Sequence, residues 1–187
     1  STREASPPPR HGLDQGVWPW LLLTLAGLLQ AAALAWPGQD GVEWQTALGL
    51  LQGQAQPVLQ LLAMALALRV LTWAPSARRS AWGAWVWATV SGAATTWWLY
   101  VSMVHYGAVP PVLGALAVLA LSAFLALAFA LLGRVWWPLR HRPLAPLLWA
   151  MGWLLAEWLR GVLFSGFPWG NVATARVDGL GVLAPWL

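Results

Sequence analysis

Two charged residues, Glu157 and Arg160, stand three positions apart in otherwise apolar text. On a helix that spacing puts them within reach of each other. Charge inside a membrane span is expensive, so one reading is a functional pair. The other is a self-neutralising pair near the end of its span, reaching interfacial water. Just downstream, Ser165-Gly166-Phe167-Pro168-Trp169-Gly170-Asn171 mixes loop-forming Gly and Pro with large apolar rings. A rigid aromatic loop of this kind could guide a lipid chain, or serve only as a boundary anchor. Upstream, the segment from Trp97 to Gly107 offers Tyr100, Ser102 and His105 as hydrogen-bonding groups. A lone His could act as a base. No carboxylate stands near it in sequence, which favours a single structural hydrogen bond.

Other chemistry is excluded by composition. The chain has no Cys, and all ten of its basic residues are Arg. Disulfides, thiolate nucleophiles, thiolate metal sites and lysine amines are therefore absent. The three His are His11, His105 and His141, too scattered to suggest a metal cluster. No phosphate-binding loop ending in Lys and no serine nucleophile elbow occur. No catalytic residue, metal or cofactor is expected from this chain.

The elements that position these residues follow from hydrophobicity. Of 187 residues, 59% are hydrophobic and 9% charged. Soluble domains run near 45–50% apolar and about 25% charged. The expectation is an all-α integral membrane protein. Seventeen Trp suggest heavy use of the membrane–water boundary. Residues 1–16 read as a polar, Pro-rich, disordered leader. A transmembrane bundle over 17–164 is expected, with five spans near 17–36, 58–73, 81–104, 112–132 and 144–164. Residues 41–56 place Trp44, Ala47, Leu48, Leu51 and Ala55 at helical spacing, which suggests an interfacial amphipathic helix. The small residues from Ser91 to Thr96 would let helix backbones approach closely.

Arginine placement orients the bundle. With the N-terminus inside, the inner segments hold Arg3, Arg10, Arg78, Arg79, Arg134, Arg140 and Arg142. The outer segments hold only Arg176, beside Asp40, Glu43 and Asp178. Cationic loops stay cytoplasmic, so the N-terminus is placed inside and residues 165–187 outside. The same scatter of arginines among apolar spans argues against a nucleic-acid partner.

Several segments resemble a known family. Ala156-Glu157-Trp158-Leu159-Arg160-Gly161, Ser165-Gly166-Phe167-Pro168-Trp169, Val177-Asp178-Gly179 and Leu183-Ala184-Pro185 look like the membrane part of bacterial apolipoprotein N-acyltransferase. Trp98-Leu99-Tyr100-Val101-Ser102, then Tyr106-Gly107 and Pro110, resemble the same family's third-span ending. The resemblance covers roughly residues 57–187. It implies an inner-membrane enzyme with a periplasmic nitrilase-like α/β domain. That enzyme moves an acyl chain from a phospholipid to the α-amine of a lipoprotein's diacylglyceryl-cysteine. A Glu–Lys–Cys triad does this through a thioester, which the amine then attacks. With neither Cys nor Lys, this chain lacks two triad members. The expectation is therefore a truncated membrane portion, without the nitrilase-like domain and inert alone. Its partners would be the phospholipid donor, the lipoprotein acceptor and membrane lipids. Gly166, Phe167, Pro168, Trp169, Glu157, Arg160 and Tyr100 would line or support a lipid entrance.

Two other classes remain open at the level of sequence. One is a transporter or channel-like protein using the Glu157/Arg160 pair, although no internal repeat accompanies it. The other is a non-catalytic membrane scaffold.

Overall fold

A computed structural model describes residues 16–38, 41–50, 52–162 and 166. Among these residues the chain is all helical, with no strand. Helix α1 spans Trp18–Leu34, α2 Glu43–Ala47, α3 Pro57–Thr72, α4 Ala77–Thr95 and α5 Trp97–Val101. A π-helical turn, Ser102–Tyr106, follows α5. Helix α6 covers Pro111–Leu125, α7 Leu127–Trp136 and α8 Ala145–Val162. The path from Pro111 through a closing 3₁₀ turn to Leu139 is 29 residues of helix, long and apolar enough to cross a membrane. Helices α1 and α3 are apolar but shorter, at 17 and 16 residues.

Local chemistry sets the boundaries. Pro starts or nearly starts α1, α3 and α6, where its missing N–H costs nothing. Ser76 caps α4, its Oγ accepting from the Arg79 amide at 3.2 Å. Two expected elements come out differently. The amphipathic helix over 41–56 is confined to the five residues of α2. Gly49 and Gly53 adopt φ of +69° and +73°, a left-handed backbone that ends a helix. The third span, expected as one helix over 81–104, breaks at Thr96. There the Thr96 hydroxyl donates to the Gly92 carbonyl at 2.8 Å, alongside the Thr96 amide at 2.9 Å. Such back-bonding bends helices.

Helix α4 is the hub. It packs against α1, α3, α6 and α7, while α8 packs on α7. Small residues permit these approaches. A Cβ on Gly27 would sit 2.9 Å from the Trp87 carbonyl, and one on Gly133 2.9 Å from the Ser80 carbonyl. Gly92 lies against Ser122 of α6, as the small-residue patch implied. Ser80 Oγ also donates to the Gly133 carbonyl at 3.0 Å, and Trp85 Nε1 to the Ala123 carbonyl at 2.9 Å.

The core is aromatic. Trp87 is fully buried and lies 4.9 Å from the Trp153 ring, which is 4.5 Å from Phe129. Trp136 meets Trp149 edge-on at 5.1 Å. Four tryptophans that composition assigned to the boundary are thus core residues. Meanwhile Leu21, Leu25 and Leu28 of α1, Leu116 and Leu119 of α6, and Leu147, Leu154 and Leu155 of α8 face outward. Gln30, Gln60, Ser80, Thr89, Thr96, Ser122 and Glu157 face inward. Leucine outside and polar groups inside is an arrangement that water would penalise and lipid tolerates.

Candidate functional site

The C-terminal halves of α1, α4 and α8 meet at the end of the bundle away from the arginine loops. Between them lies a cavity of about 30 Å³, lined by Gln30, Ser91, Thr95, Trp153, Glu157 and Arg160. That volume admits a water molecule or two. Glu157 is only 7% exposed, and Trp153 Nε1 donates to its Oε1 at 3.0 Å. The helical spacing that brings Trp153 under Glu157 is four residues. The opposite charges of Glu157 and Arg160 attract across the next turn. Across the cavity, Gln30 is 3% exposed, and its Oε1 has no hydrogen-bond partner among the described residues.

This arrangement can bind and orient, and its lining among the described residues carries no thiol or amine. A carboxylate fixed by an indole N–H and a guanidinium beside it can receive a polar group or anchor a neighbouring loop. No cluster of His, Asp and Glu suited to a metal occurs among the described residues.

The expected site residues are only partly gathered. Glu157 and Arg160 share the cavity. Tyr100 does not line it; its ring stacks on Trp97 at 4.5 Å, against Gly114 of α6. Gly166 folds back onto the end of α8. Its φ is +82°, and a Cβ there would collide with the Gly161 carbonyl, so both backbone and space demand glycine. Phe167, Pro168 and Trp169 lie outside the described residues. Gln30 and Trp153 are not among the expected site residues, and Ser91 and Thr95 are expected only as small residues of the close-packing patch. For Gln30 a signal existed: it is the one amide in the first apolar run.

Comparison with known proteins is decisive about family. Residues 45–187 match the profile of the apolipoprotein N-acyltransferase N-terminal domain. The chain belongs to the apolipoprotein N-acyltransferase family. An apolipoprotein N-acyltransferase of Verminephrobacter eiseniae is 43% identical over 173 residues, covering 90% of this chain and 30% of that protein. Those of Bordetella bronchiseptica and Pseudomonas putida are 40% and 41% identical, each over 68% of this chain and about a quarter of their own length. The chain therefore spans under a third of these relatives. Glu157, Arg160, Tyr100 and Gly166 all fall within the matched family segment.

Proposed function

We propose that this chain is the membrane portion of an apolipoprotein N-acyltransferase. The complete enzyme would transfer an acyl chain from a phospholipid to the N-terminal amine of diacylglyceryl-cysteine in lipoproteins. The family match over residues 45–187 carries this reading. The chain itself holds neither Cys nor Lys, so the Glu–Lys–Cys chemistry lies outside it. By itself it is inactive.

In this reading five helical passes cross the bacterial inner membrane: α1, α3, α4 with α5, α6 with α7, and α8. The outward leucines and the two arginine-rich loops support it. The bundle occupies 17–164, the polar leader 1–16 is cytoplasmic, and 165–187 faces the periplasm. The Glu157–Arg160 cavity then opens toward the side of acyl transfer. Gly166, Phe167, Pro168 and Trp169 shape the entrance for acyl chains. Glu157 and Arg160 hold that loop or meet the lipid head group, and Tyr100 supports the rim.

The test is acyl transfer by the complete enzyme carrying Trp169→Ala. We expect slower transfer at normal expression. Unchanged kinetics would remove the entrance role, and a complete coding sequence without later Glu, Lys and Cys would remove the enzyme reading.

A further inference from the structure

A second cavity, of about 90 Å³, lies at the opposite end of the bundle, where the start of α1, the end of α3 and the start of α4 converge. Trp20, Leu23, Val70, Leu71 and Gly83 line it, and Arg79 stands at its rim. At Gly83 a Cβ would come within 2.7 Å of Leu71, so α4 lies close against α3 there. A wall of carbon gives water no partners and favours an apolar occupant.

The rim has the opposite character. The Arg79 guanidinium sits 5.5 Å from the centroid of the Trp20 ring, and Arg78 is exposed beside it. Both belong to the first turn of α4, the positive end of a 19-residue helix. Arg69, Arg134, Arg140 and Arg142 lie at the same end. No carboxylate occurs among the described residues of 16–20, 69–83 or 130–145. Trp18 and Trp73, 61% and 53% exposed, flank the opening at the level where indoles meet head groups.

We propose that this slot seats a few methylenes of one acyl chain of an anionic phospholipid, its phosphodiester lying at Arg79. The carbon wall selects a lipid over a free phosphate. The arginines around the rim, with no carboxylate beside them among the described residues, favour net negative charge over a zwitterionic head group. Placing this lipid in the cytoplasmic leaflet rests on the orientation proposed above; binding itself does not. The site is separate from the polar cavity at the other end and acts as a structural lipid site.

The test is lipid retention by the purified chain in detergent micelles, followed by native mass spectrometry. The probes are palmitoyl-oleoyl phosphatidylglycerol, phosphatidylethanolamine with the same chains, and glycerol phosphate. Phosphatidylglycerol should be retained preferentially. Arg79→Gln should lower its retention about fivefold, the worth of one cation beside an anionic lipid. Val70→Trp, which fills the slot, should lower retention of both lipids. A photoactivatable diazirine on the acyl chain of phosphatidylglycerol should label peptides around Leu23 and Val70 in the unmodified chain, whether or not the tryptophan variant folds. Equal retention of the two lipids, an unaffected Arg79→Gln variant, equal binding of glycerol phosphate, or labelling elsewhere would each overturn the proposal. Because micelles have no leaflets, none of these outcomes depends on membrane orientation.

Discussion

The two ends of the bundle treat charge in opposite ways. At one end the arginines lie in or beside loops and spend themselves on backbone and rings. Arg140 donates to the Thr72 and Trp137 carbonyls at 3.2 and 2.8 Å and stacks 3.7 Å from the Trp137 ring centroid. Arg69 covers Trp73 at 4.0 Å. At the other end a carboxylate and a guanidinium sit within a helix, around a small cavity with Gln30. In membrane proteins, cationic loops are retained on the cytoplasmic side. A charged pair inside a helix demands compensation from its neighbours, and here Trp153 supplies part of it. The difference separates charge placed in and beside loops from charge held within a helix.

Substitutions can sharpen that contrast. The largest effect is expected for Glu157→Leu, which leaves Arg160 beside an apolar group. Breaking such a buried arrangement costs about 3–5 kcal/mol, read as lost resistance to unfolding in a denaturing detergent series. Trp153→Phe keeps a six-membered aromatic ring but removes the donor to Glu157 and leaves a small void among the core rings, for about 1–3 kcal/mol in the same assay. At the basic end, Arg140→Ala should cost about 1 kcal/mol, since its contacts are half-buried. Leu154→Ala, 68% exposed on α8, should stay within about 0.5 kcal/mol. If Arg140→Ala exceeded Glu157→Leu, the two ends would have exchanged roles.

Much of the helical plan was legible because long apolar runs declare themselves. The starts of α1, α3 and α6 lie within one residue of the expected spans, each at or beside a Pro. The break at Thr96 was not legible. It depends on a hydroxyl choosing a backbone carbonyl over solvent, and Thr in apolar text announces no such choice. The short α2 has a different cause: apolar spacing over 41–56 predicts a helix, but the left-handed backbone at Gly49 and Gly53 decides the outcome. Within the candidate site, Glu157 and Arg160 stood out as charges in apolar text. Gln30, Ser91 and Thr95 joined them only through packing, from helices far apart in sequence. Tryptophan misled in one direction. Its preference for boundaries is real, yet Trp87, Trp136, Trp149 and Trp153 fill the core, where large rings bridge helices.

The central claim is that the two ends face opposite sides of the membrane, with the polar cavity toward the periplasm. Because the chain has no Cys, single replacements give clean labels. Arg78→Cys marks the arginine end and Tyr106→Cys, at an 86% exposed position, marks the other. In intact spheroplasts, a membrane-impermeant maleimide should label Tyr106→Cys and leave Arg78→Cys unlabelled until the membrane is opened. Labelling of Arg78→Cys in intact spheroplasts, with Tyr106→Cys protected, would contradict the account.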